Sequence, residues 1–275
     1  MNSVLSERTN QSGTTAQASV ELPAGLLVNK TLDYDDLSQP AFSSTASDLR
    51  KWVWKWLFAG QPLGVNGSVK RRWYVRRHKM WEYTRGLALS GTSRPVRAPG
   101  QKFTVLDVGG AMTMPVFYLA SLGDKVVCLD ISEKMTRQTT EIARKRKLDV
   151  TARTDNLVTT DVKAEDLGVP GGFDRVYCFC VIEHVVPPGQ AILARRMASL
   201  LKPGGLLYLS FDYGENAPTE APMYSMAHVD AIREAIGLPL VGNQTLADDG
   251  KRLPLNRRYP GKPYTFGCML FKKPE

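Results

Sequence analysis

Two carboxylates bracket the stretch of this chain best suited to chemistry. Asp107 ends one apolar run and is followed by Val108 and the pair Gly109–Gly110; Asp130 ends the next apolar run, KVVCLDI. Between them, VLDVGGAMTMPVFYLASLGDKVVCLDIS (105–132) reads as strand, glycine turn, helix and strand. A carboxylate at the tip of the second strand can accept both hydroxyls of a ribose at once. The implied chemistry is the binding of a nucleotide-like ligand across the carboxyl ends of parallel strands. The turn also excludes ligands. A diphosphate fingerprint needs G-x-G-x-x-G so that the pyrophosphate can approach the backbone. Here the glycines are adjacent, Met112 and Thr113 would crowd a diphosphate, and no G-K-[ST] phosphate loop occurs. A cofactor without phosphates fits better.

The elements that must position these residues alternate. KFTVLDV reads as a strand, followed by a helix from about Met114 with Pro115 at an early helical position. DKVVCLDI is a strand and EKMTRQTTEIARKRK a polar helix; TDNLVTTDV is a third strand ending near Asp161, and FDRVYCFCVI a fourth. PPGQAILARRMASLL is a helix, KPGG a turn, LLYLSFDY a fifth strand and HVDAIREAIG a helix. LPLVGNQ and PYTFGCMLFKK close the chain as two strands without a helix between them, which predicts an antiparallel pair at the sheet edge. Strands alternating with helices predict an α/β fold, a mostly parallel sheet with helices on both faces.

The 275 residues, 43% of them hydrophobic, suffice for a sizeable core, and no run approaches the roughly 18–20 apolar residues of a membrane span. The polar N-terminus lacks a signal-peptide core, so a cytoplasmic location is expected. The four cysteines lie in apolar segments with neither CxxC spacing nor nearby histidines, which predicts free thiols and no metal site. Three segments are expected: a flexible arm (1–47), a basic, Trp-rich helical cap and linker (48–100), and the nucleotide-binding domain (101–275). The net charge of +9 is concentrated in the cap: all five tryptophans (Trp52, Trp54, Trp56, Trp73 and Trp81) lie there, and Glu82 is the one acid between Arg50 and Gly100. This block supports four readings: packing against the main domain, an interfacial helix peripheral to a membrane, docking of a substrate bearing phosphate or carboxylate, or contact with nucleic acid.

Residues 102–273 resemble the class I S-adenosylmethionine-dependent methyltransferases. VLDVGG resembles that family's first motif, CLDIS its second-strand acid, TTDV the acid after the third strand, FDRVYCFCVIEHV its fourth strand, and LLKPGGLLYLSF its turn and fifth strand. The resemblance implies a Rossmann-like seven-stranded, mostly parallel sheet with an antiparallel edge strand, helices on both faces and an N-terminal helical cap. It implies that S-adenosyl-L-methionine is the cofactor. Asp107 and the Gly109–Gly110 backbone would lie beside its methionine half, with Ala111 standing in for a missing glycine and Thr113 a bulkier departure. Asp130 would hold the ribose and Ile131 would pack on the adenine. Asp161 would meet the exocyclic amine beside Val162, and the Cys180 backbone would face the amino-acid end or the sulfonium.

Methyl transfer from a sulfonium is an in-line displacement, which asks the protein for alignment and, at times, a base. VIEHV (181–185) is similar to a segment of ubiquinone-pathway O-methyltransferases, where an upstream glutamate helps form a metal site; Cys180 occupies that place here. His184, His228 and Asp212 are the candidate catalytic residues. Tyr83 and Arg85, in the cap, are candidates for stacking near the cofactor and for binding its carboxylate. The expected acceptor is an oxygen or nitrogen of a small metabolite, acidic or membrane-associated, with oxygen favoured by VIEHV. The alternatives are a nucleic-acid methyltransferase docking through residues 50–97, disfavoured by the lack of an N-P-P-Y-type motif, and a non-catalytic cofactor-binding or membrane-interaction protein.

Overall fold

The computed structural model describes residues 22–65, 68–70, 75–214, 225–253 and 264–275. At its centre is a seven-stranded sheet. Strands β4 (Thr104–Val108), β5 (Lys125–Asp130), β6 (Val150–Thr154), β7 (Phe173–Phe179) and β8 (Leu201–Tyr213) run parallel. β9 (Thr265–Lys272) pairs antiparallel with β8, and β1 (Lys30–Thr31) pairs antiparallel with β9, giving the order β1-β9-β8-β7-β4-β5-β6. The order reverses between β4 and β7, so a crevice opens at the carboxyl ends of those strands. β4, β5 and β7 are buried along nearly their whole length because both sheet faces are covered.

One face carries α1 (Pro40–Phe58), α2 (Arg77–Leu89), α3 (Met114–Ser121) and α4 (Glu133–Arg146). The other carries α5 (Gly189–Ser199) and α6 (Met226–Ile236). Local chemistry sets the ends of these helices. Pro115 stands at the start of α3, Ser132 caps α4 by accepting from Met135 N, and Gly237 ends α6 in a left-handed conformation.

Several expectations are corrected. The helix expected from 48 to 90 is two helices separated by a hairpin of β2 (Leu63–Val65) and β3 (Ser68–Lys70). α1 begins at Pro40, and residues 22–47, expected as a loose arm, include β1 and a 3-10 turn at Tyr34–Ser38; residues 1–21 lie outside the described residues. The linker at 90–100 is not loose either. Ser90 and Thr92 both bond the buried Tyr177 hydroxyl, and Arg175 Nε donates to the Ser90 carbonyl at 2.7 Å. The third strand is Val150–Thr154, so Asp161 does not end it. LPLVGNQ is not a strand: its pairing is an isolated bridge, Leu240 to Phe271, and the seventh strand comes from the N-terminal segment instead. The KPGG turn is absorbed into β8, with Gly204 at φ +73°.

Candidate functional site

The glycine turn after β4 is built around Asp107. Its carboxylate is fully buried and neither oxygen has a partner. Burial, with repulsion from Asp130 as the smaller cause, pushes it up to about 8. Gly110 lies against this carboxylate, and a Cβ there would fall on Asp107 Oδ1. Gly109 has φ +76°, and a Cβ on it would meet Val181 Cγ2 at 2.5 Å. The motif needs a glycine at both positions, for contact at one and for conformation and contact at the other.

Past the glycines the turn is closed by side chains. Met112, with φ 65°, is buried and its N–H donates to Thr139 Oγ1 at 2.8 Å. Thr113 Oγ1 donates to the Gly110 carbonyl at 2.7 Å. The bulk of Thr113 is thereby turned into a hydrogen bond that completes the turn. Asp130 ties the turn to the end of β5: Oδ1 accepts from Ser132 N at 2.9 Å and Oδ2 from Ala111 N at 3.3 Å. Each oxygen keeps further lone-pair capacity for a ligand. Ile131 follows with 75% of its surface exposed.

The residues expected at the adenine end are placed less directly. The acid immediately after β6 is Asp155, whose N–H donates to the Asp130 carbonyl at 3.0 Å. Asp161 lies further along that loop, its side chain 79% exposed and 3.8 Å from Arg196 Nε. Val162 is buried, in the same apolar cluster as α5 and α6.

A second polar cluster lies at the ends of β7 and β8, where α2 crosses them. Cys180 follows β7 with a left-handed backbone, φ 54°. Its thiol donates to Glu82 Oε2 at 3.0 Å, and burial pushes it well above the ordinary thiol range. Glu82 Oε2 also accepts from Ser210 Oγ at 2.8 Å and Lys79 Nζ at 3.1 Å, while Glu82 Oε1 is buried without a partner. Glu183 is fully buried; Oε1 accepts from Asp212 N at 3.3 Å and Oε2 has no partner. Burial, then repulsion from Asp212, raises its carboxyl well above the usual range. Tyr83 packs edge-on against Phe179 at 5.0 Å beside this cluster. Sequence reasoning missed Lys79, Glu82 and Ser210. A Lys–Glu pair three apart on a helix looks like a solvated ion pair, and only the fold buries its glutamate.

Arg85 is corrected. It is 1% exposed, donates from Nη1 to Asp36 Oδ2 at 2.9 Å, and donates from Nη2 to the carbonyls of Leu27 and Val28. Its charge holds the N-terminal segment to α2 and is not presented to a cofactor carboxylate. His228 sits in the N-terminal cap of α6, its Nδ1 3.1 Å from Ser225 Oγ. His184 is exposed, one residue past Glu183.

Among the described residues, ligand atoms of Cys180, Glu183 and Asp212 lie within 4.8 Å of one another, a spacing compatible with a cation. The chemistry of the set fits a divalent metal poorly. The sulfur is a thiol committed to Glu82, and the Lys79 ammonium, bonded to the same carboxylate, adds positive charge nearby.

Residues 106–207 match the family model described as a methyltransferase domain. A ubiquinone biosynthesis O-methyltransferase of Xanthomonas campestris pv. campestris is 37% identical over 117 residues, which cover 42% of this chain and 44% of that protein. A protein of the same description from Caulobacter vibrioides is 36% identical over 119 residues, covering 42% of each. The chain thus spans less than half the length of the curated relatives it matches. Among solved structures, the [4+2]-cyclase SpnF aligns with a TM-score of 0.54 at 15% identity, over 84% of this chain and 93% of that one. TehB from Haemophilus influenzae aligns at 0.50 and 14% identity, over 63% and 58%. These two likenesses show a shared fold.

Proposed function

We propose that the chain, whose residues 106–207 match the methyltransferase-domain model, is a class I S-adenosylmethionine-dependent methyltransferase that binds this cofactor across the ends of β4 and β5 and methylates an oxygen or nitrogen of a small metabolite. The observation that carries the reading is the pairing of Asp130, with acceptor capacity at the strand tip, and Asp107, buried with both oxygens unsatisfied. A buried carboxylate without a donor is costly, and the ammonium of a bound amino-acid moiety would satisfy it. When bound, the cofactor supplies a methyl group made electrophilic by its sulfonium.

The chain's own residues would bind and orient. Asp130 accepts the ribose hydroxyls, Ile131 offers an exposed apolar face to the adenine, and Asp161 with Val162 borders the ring edge. Asp107, the Gly109–Gly110–Ala111 backbone, Cys180 and Tyr83 surround the methionine half. Asp212 at the end of β8 and His184 after β7 are the candidate residues for the acceptor side, with His228 of the α6 cap a third. The name of the curated relatives supports an oxygen acceptor. The alternative in which residues 50–97 dock nucleic acid loses two cations, since Arg85 and Arg97 are held by Asp36 and Asp124.

Calorimetry with S-adenosylmethionine and its demethylated product tests the reading. Both should bind, and Asp130→Ala should weaken them by about ten-fold or more, the loss of two charge-assisted hydrogen bonds. Unchanged affinity in that variant would sink the ribose assignment. Binding without turnover on a broad metabolite panel would favour a binding protein over an enzyme.

A further inference from the structure

Among the described residues, the cap tryptophans divide into those the fold consumes and one it leaves outside. Trp52 stacks on Trp56 and donates to Ser121 Oγ; Trp56 stacks on Phe117; Trp81 is fully buried and donates to Asp36. Trp73 lies outside the described residues. Trp54 is 50% exposed and stacks at 5.5 Å on Phe58, which is 75% exposed. Both stand on the outward face of α1, opposite the buried Phe42, Leu49, Val53 and Trp56. At 3.6 residues per turn, Arg50, Lys51, Trp54, Lys55 and Phe58 share an arc of roughly 140°, and the three basic residues are also exposed. The C-terminus of α4 adjoins this arc: Arg146 Nη2 donates to the Ala59 carbonyl at 3.3 Å, and its guanidinium lies 5.7 Å from the Trp56 ring. α4 ends in Arg144, Lys145 and Arg146, followed by Lys147, all exposed, with Glu141 and Asp149 the nearest exposed acids in sequence.

From this placement we infer that the outer face of α1, with the end of α4, is a docking surface for an anionic lipid bilayer. Two adjacent aromatic side chains without charge, flanked on both sides by cations, match the boundary between acyl chains and acidic headgroups. Nucleic acid is the poorer occupant. Binding a single strand by base stacking calls for a groove that tracks the backbone, whereas Trp54 and Phe58 stand on the outer face of a single convex helix. The surface is formed by α1 and α4, so it stands independently of the methyl-transfer reading.

Co-sedimentation of the full chain with vesicles tests the inference. Vesicles of phosphatidylcholine with about 30 mol% phosphatidylglycerol should bind at least ten-fold more protein than phosphatidylcholine alone, and binding should fall as salt rises. The double variant Trp54→Ala/Phe58→Ala should lose about five-fold or more of that binding, with an unchanged melting temperature because both side chains are exposed. Lys51→Gln/Lys55→Gln should lower binding to acidic vesicles and leave any residual binding to phosphatidylcholine unaltered. Vesicle binding that ignores the aromatic variant overturns the inference. So does binding of a short poly-uridine with no binding to vesicles, which would assign the surface to nucleic acid.

Discussion

Asp107 holds its proton because water cannot reach it and no donor faces it, and its pKa of about 8 carries a sign that can be measured. Between pH 4 and 8 the unfolded chain releases this proton while the folded, ligand-free chain keeps it. The contribution of Asp107 to stability is therefore fully present below about pH 4 and declines as pH rises to 8. A cationic group bound beside it reverses the preference for the neutral form. Below pH 8, cofactor binding should then expel close to one proton, and affinity should climb by up to about ten-fold per pH unit between 6 and 8. Calorimetry at pH 6.5 in two buffers of different ionisation heat measures the proton count; Asp107→Asn should abolish it, and a wild-type count of zero would mean that Asp107 does not meet the cofactor's charge. Gly110→Ala probes the same contact sterically. The added methyl falls on the carboxylate, so the variant should lose about 1–3 kcal/mol of stability by overpacking and bind the cofactor measurably more weakly in the same titration.

α2 and the N-terminal segment are joined by one buried hub. Asp36 accepts from Arg85, Trp81, Lys30 and Gln39, and it is 1% exposed. Asp36→Asn leaves the Arg85 guanidinium buried without its counter-charge and should cost about 3–5 kcal/mol in urea unfolding; a loss under about 1 kcal/mol would show that the hub does not fasten the segment. Nothing in the sequence announces this hub, and the reason extends to the other misread elements. β4, β5, β7 and the glycine turn were legible because an apolar run buried on both faces and a turn built from its own residues are local patterns. Asp107, Gly109, Gly110 and Asp130 inherit that legibility. β6 is VTART, whose period is weak at a sheet edge, so its end was misplaced towards Asp161. β1 is two residues long and exists only through residues far away in the chain, Gly267 and Cys268 of β9 on one side and Ala247 on the other. The hydroxyls of Ser90 and Thr92 read as linker because the same groups serve water in a loop and Tyr177 in a core. Lys79, Glu82 and Ser210 meet only across the fold.

Read from the sequence, residues 48–100 and 101–275 separate into a cap and a nucleotide-binding domain, yet one core runs through both. Trp52, Trp56, Trp81 and Leu87 from the cap belong to the same buried cluster as Val105, Cys128, Tyr177 and Tyr208 of the sheet. Burying each such large side chain contributes about 1.5–3 kcal/mol, so these four cap residues together match the ~5–15 kcal/mol by which a whole domain is stable. The Tyr177 hydroxyl and the Arg175 guanidinium would in addition lose Ser90 and Thr92 as partners inside the sheet. A fragment comprising 101–275 should therefore fail to fold alone, although it contains every strand but β1 and the β2–β3 hairpin and every residue around the glycine turn. Near-ultraviolet circular dichroism and limited proteolysis of that fragment beside the full chain provide the check: the fragment should lack fixed aromatic signals and be cut within the sheet. A fragment that is protease-resistant and binds the cofactor as the full chain does would show that the sheet needs no cover from α1 and α2, and would make the cap an accessory to the domain instead of one wall of its core.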